Sequence, residues 1–225
     1  VLFFILQGTG CYTKRMTSSD TIYVDATTHL IQHDPVLAAV IKRAGPYPIR
    51  SHKNYYQELI ESIIGQQLSL KAAASIETRF IELFGTGEFP TPEHILARDV
   101  DELRLVGLSR PKARYILDLA QHIAEGKIKF DHLDNLTNEQ VIAELTAVKG
   151  IGVWTVHMFL LFCMGRLNVL PYGDLGIKNG IQKLYNSKSL PDQKKIETIA
   201  KKYKWGPYES VACWYIWKSL EKSID

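Results

Sequence analysis

A five-residue segment in the second half of the chain has the residue types and spacing of an anion-binding site. It reads Val-Lys-Gly-Ile-Gly at positions 148–152, and it places two glycines in a tight turn that opens directly into a helix. Glycine allows a partner to approach the backbone closely, and the first N–H groups of a helix point outward at the positive end of its dipole. These groups suit a nucleic-acid phosphate, which they would bind without reading the base sequence.

A carboxylate follows this turn at a distance of 24 residues. Asp174 lies in the segment Pro-Tyr-Gly-Asp-Leu-Gly at positions 171–176, where a loop enters a helix. Asp is among the best N-cap residues, and a cap contributes about 1 kcal/mol, so a structural role is one interpretation. The other is that the same carboxylate, held at the helix start, faces the mouth of the glycine turn.

Short helices must position both segments. Asp34 and Pro35 begin one helix as N-cap and first residue, and Gly45 ends it. Apolar residues at positions 56, 59, 60, 63 and 64 form a helical stripe that Gly65 stops, and Ser69 caps a helix that ends near Phe84. Further helices are predicted near 93–98, 99–106, 110–125, 138–147, 153–164, 175–186, 192–203 and 207–222. Without a sustained period of two, the chain is predicted to be all-α, and its many turns argue against a simple four-helix bundle.

Two segments of the chain resemble each other. Residues 102–113 and 144–156 each contain the end of a helix, a turn with glycine and the start of another helix. Two unrelated helix-turn-helix corners would explain the first segment equally well, because glycine is a common C-cap. The second segment, with Leu145 and Val148 before its glycines and Thr155 after them, fits a helix-hairpin-helix pattern.

Composition excludes several classes of protein. Of 225 residues, 46% are hydrophobic and 23% charged, which excludes a wholly disordered chain. The three cysteines are scattered and form no C-x-x-C pair, so we expect a reduced, intracellular protein without a disulfide framework. No apolar stretch reaches the roughly 18 residues of a membrane span. Residues 1–15 do not fit a signal peptide and are predicted to be upstream sequence, since Met16 opens a polar run typical of a native N-terminus.

The net charge of +3 is unevenly distributed. Between positions 178 and 204 there are eight lysines and two acidic residues. A solvated helix face is the usual meaning of such a run, and a flank that faces phosphates is the alternative. The lysines stand at 178, 183, 188, 194, 195, 201, 202 and 204.

Several motifs, in this order, resemble the helix-hairpin-helix (HhH-GPD) superfamily of DNA glycosylases, in its branch of type II 3-methyladenine DNA glycosylases (AlkA/Mag-like). They are Gln66-Gln67-Leu68-Ser69 with Lys71-Ala72-Ala73, Gly107-Leu108-Ser109 with Lys112, Gly150-Ile151-Gly152 with Trp154-Thr155, and Pro171 with Asp174-Leu175-Gly176. The resemblance covers about residues 34–217. It implies two helical lobes with a central cleft: residues 55–167 carry the hairpin, 16–54 and 168–225 form the other lobe, and Asp174 lies at their junction.

The resemblance also implies an activity. Such enzymes rotate a damaged nucleotide out of the duplex, because the glycosidic bond cannot be reached inside the stack. Asp174 corresponds to the catalytic aspartate, which would stabilise the oxocarbenium-like sugar and orient the attacking water. An alkylated purine is cationic and favours aromatic surfaces, and Trp154 and Trp217 match pocket positions. An isolated tryptophan is most often a core residue, and we expect Trp214 and Tyr215 to remain in the core.

Trp154 also bears on the type of reaction. Bifunctional members of the superfamily carry a lysine at this position, whose amine forms a Schiff base and allows strand cleavage. Indole cannot do this, so we predict a monofunctional enzyme that leaves an intact abasic site. The four-cysteine iron–sulfur motif of another branch is missing, so we expect no iron–sulfur cluster and no required cofactor. The seven histidines form no ligand-spaced pair, so we also expect no catalytic transition metal.

Three groups of residues are implied to contact DNA or an ion. The hairpin group is Lys149, Gly150, Ile151, Gly152 and Thr155. The loop that fills the gap left by the flipped base offers Gln67, Leu68 and Ser69, although a glycine stop followed by a serine cap would explain that loop as well. The main-chain oxygens of Thr146, Val148 and Ile151 would hold a structural Na⁺ or K⁺.

Two functions remain at this point. The first is a hydrolase that excises alkylated purines such as 3-methyladenine and 7-methylguanine and so initiates base excision repair. The second is a non-catalytic homologue that binds damaged or abasic DNA. Both predict an intracellular monomer, in the cytoplasm or nucleoid of a prokaryote or the nucleus of a eukaryote, with double-stranded DNA as its partner and no membrane contact. Because Asp174, Trp154 and Trp217 are all present, we favour the enzyme.

Overall fold

The computed structural model describes residues 18–49, 51–85 and 87–221. Residues 1–15, predicted to be upstream sequence, lie outside the described part. The described residues form helices joined by short turns and contain no strand, which confirms the all-α prediction. No helix among them is both long enough and apolar enough to cross a lipid bilayer.

The helices follow one another at short intervals. In chain order they are α1 (Ser18–His33), α2 (Pro35–Ala44), α3 (Tyr55–Gly65), α4 (Leu70–Glu82), α5 (Pro92–Leu96), α6 (Val100–Arg104), α7 (Arg110–Ala124), α8 (Asn138–Leu145), α9 (Val153–Met158), α10 (Leu175–Leu184), α11 (Gln193–Lys202) and α12 (Glu209–Lys218). A 3₁₀ turn, Leu133–Asn135, precedes α8, and a π-helical turn, Phe159–Cys163, continues α9.

Short polar residues set most of the helix starts. The side chains of Asp34 and Ser69 accept backbone N–H groups from the first turns of α2 and α4, as predicted. Capping satisfies donors that a helix start leaves unpaired. The same device begins α5, α6, α7, α8, α10 and α11, at Thr91, Asp99, Ser109, Thr137, Asp174 and Asp192.

Helix α1 is the element that the sequence does not predict. Among its residues with described burial, only Ala26 and Leu30 are buried. Two apolar positions four residues apart are too few to establish a helical stripe against its threonines and histidines. Its formation therefore depends on packing against α2.

The described helices form two compact units. The first spans Ser51–Met164, and its central element is α3, whose Leu59, Ile60 and Ile63 are fully buried. Helices α4 and α7 and the π-helical turn pack around α3. Both similar corners, 102–113 and 144–156, belong to this unit.

The second unit comprises residues 18–49 and 165–221. Its central helix is α12, in which every residue from Ser210 to Trp217 is buried, so the helix is surrounded by other elements. Helices α2 and α10 pack against it. Trp214 and Tyr215 are 3% and 0% exposed, which confirms that they are core residues.

Candidate nucleic-acid interface and carboxylate site

Gly150 forms the sharp bend of the second corner, between α8 and α9. Its φ of +84° lies in the left-handed region, which side chains with a Cβ rarely adopt. A Cβ at this position would also overlap the ring of Tyr115, which lies on α7. Both backbone conformation and packing therefore require glycine here.

Gly152 has a different role, because it is the N-cap of α9. Its φ of −93° and ψ of 168° are open to any residue, and a Cβ would meet no atom within 4 Å. Within the described residues, no side chain caps α9. A helix start with glycine at the cap and open space beside it has the geometry of a main-chain anion site.

Side chains from α7 and the α3–α4 loop hold the backbone of this corner. Gln66 Nε2 donates to the carbonyl oxygen of Gly150 at 2.8 Å, and Asp118 Oδ2 accepts the N–H of Lys149 at 2.8 Å. The Lys149 ammonium lies 3.6 Å from Asp118 Oδ1, and its side chain is 77% exposed. Sequence reasoning missed Gln66 and Asp118 as supports, and Asp118 has no local signal that could reveal it.

Three other predicted hairpin residues contribute through the main chain or the core. Val148 and Ile151 are buried, and they anchor the turn to the unit's interior. Thr155 is 8% exposed. The carbonyl of Val148 accepts the N–H of Ile151 at 3.1 Å. The cation site on the carbonyls of Thr146, Val148 and Ile151 stays a prediction.

The loop between α3 and α4 contains the predicted gap-filling residues. Gln67 is exposed and adopts a φ of +57°, which is uncommon for a residue with a side chain. Leu68 is partly buried. The Oγ of Ser69 accepts the N–H of Ala72 at 3.3 Å, so Ser69 is engaged as a helix cap. Gln67 and Ser69 are both exposed, and of these two only Ser69 has a described capping bond.

Lys112 ties this loop to α7. Its ammonium donates to the carbonyl oxygen of Ile64 at 2.8 Å and to that of Gln66. Carbonyls at a helix C-terminus are a favourable place for a cation. Burial lowers the pKa of the Lys112 ammonium. The sequence marks Lys112 only as part of a motif and does not reveal this contact.

Trp154 borders a small cavity in the first unit. The cavity volume is about 20 Å³, which is room for one water molecule and not for a purine. Burial raises the pKa of the Glu58 carboxyl at the cavity wall, as does the Glu61 carboxylate, whereas His52 lowers it. The lining residues are Glu58, Leu59, Ser62, Gln66, Trp154, Thr155, Met158 and Phe159.

Asp174 lies at the start of α10 in the second unit. Its Oδ1 accepts the N–H of Ile177 at 2.8 Å, as an N-cap does, and also the indole N–H of Trp217 at 2.8 Å. The residue is 6% exposed. The N-cap interpretation is therefore realised, and a second donor from α12 fixes the orientation of the carboxylate.

Trp217 is the other aromatic residue predicted to line a pocket, and that role stays a prediction. In the structure it is 1% exposed, and its described polar contact is with Asp174. The bond requires glycine at position 176, because a Cβ there would lie 2.9 Å from Trp217 Cδ1 and 3.0 Å from Asp174 Oδ1. Gly180, one turn later, makes the same close approach to Ile216. Trp217 therefore acts as a positioning residue in this structure.

The second unit contains another buried aspartate that serves as a reference. Asp34 caps α2 through Oδ1, and its Oδ2 accepts the hydroxyl of Tyr185 at 2.6 Å and the indole N–H of Trp205 at 2.8 Å. Asp34 is 0% exposed and uses both oxygens for internal bonds. Asp34 is thus a second buried aspartate that caps a helix in the same unit, and it serves as the matched control for Asp174.

A family model and several known proteins are similar to this chain. The model, described as the HhH-GPD superfamily of base excision DNA repair proteins, matches residues 60–204. DNA-3-methyladenine glycosylase 1 of Schizosaccharomyces pombe is 36% identical over 203 residues, which cover 88% of each chain.

Two solved structures have the same fold. The crystal structure of a DNA-3-methyladenine glycosidase from Bacillus halodurans is 37% identical, with a TM-score of 0.79, and the match covers 93% of this chain and 94% of that one. A 3-methyladenine DNA glycosylase of Schizosaccharomyces pombe in complex with abasic DNA is 34% identical, with a TM-score of 0.76 and coverage of 87% and 96%. The range matched by the family model includes both the second corner and Asp174.

Proposed function

The chain belongs to the HhH-GPD superfamily of base excision DNA repair proteins, and from this membership we propose that it is a monofunctional alkylbase DNA glycosylase. Its reaction is hydrolysis of the N-glycosidic bond of alkylated purines, of the 3-methyladenine and 7-methylguanine type, in duplex DNA. Relatives that cover most of this chain are named DNA-3-methyladenine glycosylases, which supports the substrate class.

The observation that carries the mechanism is the anchored carboxylate of Asp174. Two N–H donors, from Ile177 and Trp217, hold Oδ1, so the side chain keeps one orientation. A fixed negative charge stabilises the positive charge that develops on the sugar as the bond to the base breaks. The same carboxylate orients or activates the water that attacks the anomeric carbon. Strong protonation of the leaving base is unnecessary, because an alkylated purine is already cationic.

The second corner binds the DNA backbone. The uncapped start of α9 and the exposed Lys149 bind backbone phosphates, and these contacts fix the register of the protein without specifying sequence. Gln67 enters the duplex where the base has left, which offsets part of the unstacking cost. Trp154 provides an aromatic surface for the cationic base, once the small cavity beside it opens.

The remaining expectations follow from this chemistry. Trp154 carries no amine for a Schiff base, so the product is an intact abasic site. Hydrolysis needs no redox or electron-sink cofactor, and a Na⁺ or K⁺ on the carbonyls of Thr146, Val148 and Ile151 would link the hairpin to phosphate. The substrate lies in the genome, so the enzyme works in the nucleoid or the nucleus. We expect it to act as a monomer.

The experiment is release of methylated bases from alkylated duplex DNA, measured by chromatography for wild type, Asp174→Asn and Asp34→Asn. We expect Asp174→Asn to lower the rate at least about 100-fold while binding to abasic duplex persists, because only charge at the reaction centre is lost. Asp34→Asn should keep the rate per folded molecule but lower the free energy of unfolding by about 2–4 kcal/mol, since an amide cannot accept all the donors around it.

Two outcomes would overturn parts of the proposal. Equal rates for wild type and Asp174→Asn would remove this residue from the mechanism. Tight binding of abasic duplex by a wild type that releases no base would instead identify a non-catalytic damage-binding homologue.

A further inference from the structure

Three metal-ligand side chains meet in the first unit, at the beginning of α3. They are His52, in the segment that precedes the helix, Glu58 in the helix, and Cys163 at the end of the π-helical turn. One ligand atom from each lies within 4.8 Å of the other two. His52 Nδ1 is 3.7 Å from Cys163 Sγ, and His52 Nε2 is 3.5 Å from Glu58 Oε2.

The backbone holds this cluster together. The N–H of His52 donates to the carbonyl oxygen of Cys163 at 3.0 Å, which joins two segments 111 residues apart. This bond holds the two backbones next to each other, and the 3.7 Å distance from His52 Nδ1 to Cys163 Sγ shows that the side chains meet as well. Glu58 is in the first turn of α3, and its N–H donates to the carbonyl oxygen of Asn54, the N-cap residue of that helix. Glu58 and Cys163 thus stand on helical backbone, and the backbone hydrogen bond ties the segment of His52 to Cys163.

The three side chains of the cluster differ in their exposure to solvent. Cys163 is 0% exposed and lies at the bottom, whereas the side chains of His52 and Glu58 are 45% and 30% exposed. An ion can reach the two outer ligands from solvent and meet the sulfur beneath them. The outer side chains also have room to rotate towards one ion.

The same three side chains could also form a catalytic triad, with the cysteine as nucleophile, the histidine as its base and the glutamate as the acid that orients the histidine. That interpretation fails on access, because the thiol is fully buried and a substrate cannot reach it. A metal ion is small enough to do so. In a tetrahedral zinc site, bonds of about 2.3 Å to sulfur and about 2.0–2.1 Å to nitrogen place these two atoms about 3.6 Å apart, close to the distance found.

We propose that His52, Glu58 and Cys163 bind a divalent zinc-like ion, with water as the fourth ligand. The mixed nitrogen, oxygen and sulfur set suits this borderline-soft ion and not magnesium or calcium. Cys163 releases its thiol proton to solvent on binding, and the thiolate and carboxylate neutralise the two positive charges. The ion links the segment before α3 to the π-helical turn, so its role is structural.

The test is titration of the full chain with Co²⁺, followed by displacement with Zn²⁺. We expect one equivalent per chain with a near-ultraviolet thiolate-to-cobalt band and the visible absorption of tetrahedral cobalt. His52→Ala and Glu58→Gln should each weaken binding more than about tenfold, as loss of groups around a metal does. Cys163→Ser should lose the near-ultraviolet band, and Zn²⁺ should raise the unfolding temperature of wild type but not of His52→Ala.

Three controls keep the result specific. Cys213→Ser removes another buried cysteine, in the second unit, and should leave the sulfur band intact. His132→Ala removes a histidine whose Nε2 lies 3.1 Å from Glu144 Oε2, and it should change neither the band nor the affinity for the ion. His29→Ala/His33→Ala removes a histidine pair on α1, which supplies no sulfur and should not alter the band.

The proposal is wrong if wild type shows no sulfur band, or if the band persists undiminished in both His52→Ala and Glu58→Gln. These two variants change partly exposed side chains, so they keep the test decisive even where Cys163→Ser does not fold. None of these readouts depends on base release.

Discussion

The two similar corners of the first unit, residues 102–113 and 144–156, resemble each other in sequence but differ at the residue that caps the following helix. At the first corner, between α6 and α7, Ser109 Oγ accepts the N–H of Lys112 at 3.4 Å, and Arg79 Nε donates to the carbonyl oxygen of Val106 at 2.8 Å. At the second corner, between α8 and α9, Gly152 occupies the cap position, and no described side chain caps the helix. The start of α7 thus has a side-chain cap, whereas the described residues provide none for α9.

A glycine turn alone therefore does not make a phosphate site. Both corners use a glycine with positive φ, Gly107 at +104° and Gly150 at +84°. What separates them is the residue at the cap, because a serine hydroxyl occupies the donors that an anion would need. The second corner is therefore the candidate DNA contact, and the first is a structural corner.

The largest effect is expected from Gly150→Ala, with Gly107→Ala as its match. Alanine at 150 combines left-handed strain with overlap of Tyr115, so the free energy of unfolding should fall by about 2–4 kcal/mol. At 107 the nearest atom is the flexible end of Arg79, 3.0 Å away, and we expect about 1–2 kcal/mol. Urea denaturation measures both values.

The affinity for DNA should also differ between Gly150→Ala and Gly107→Ala. Gly150→Ala should weaken binding to abasic duplex in fluorescence anisotropy, whereas folded Gly107→Ala should bind as wild type does. A similar loss of binding in both would show that the two corners contribute alike.

A smaller effect is expected from exchanging the caps. Gly152→Ser is compatible with the backbone at this position, and its hydroxyl should occupy a donor at the start of α9. We expect about tenfold weaker binding to abasic duplex, the value of one hydrogen bond to a charged group, with stability changed by only a few tenths of a kcal/mol. Ser109→Gly, the reverse change at the first corner, should leave DNA affinity unaltered. Unchanged affinity in Gly152→Ser would contradict a main-chain anion site.

The smallest effect concerns the salt dependence of binding. Lys149→Gln removes an exposed cation at the second corner, so the slope of log affinity against log salt should become shallower by about 1. Arg110→Gln is the match at the first corner, where the guanidinium contacts Asp101 at 2.8 Å. Its slope should equal that of wild type. Equal changes in both slopes would mean that DNA contacts each corner.

Local signals explain why much of the fold could be predicted from the sequence. Caps such as Asp34 and Ser69, the stop at Gly65 and the buried stripe of α3 are short-range features, and the structure has them where they were expected. Helix α1 escaped prediction because its two buried residues give no stripe. The roles of Asp174 and of the hairpin residues stay predictions, although the structure supplies a geometry suited to each.

The supports of the site could not be predicted in this way. Gln66 reaches Gly150 across 84 residues, Asp118 reaches Lys149 across 31, and Trp217 reaches Asp174 across 43. Each donor or acceptor has many conceivable partners in a sequence, and only packing selects one.

Local patterns in the sequence establish the helices after α1, the two glycine turns and the presence of a carboxylate at a helix start, because capping, backbone freedom and apolar periodicity act over a few residues. Only packing brings the Trp217 indole to this carboxylate, and glycine at position 176 makes the approach possible. The physical reason is that close packing and hydrogen-bond pairing depend on which helix faces are brought together, and residues distant in the chain carry no local mark of that choice.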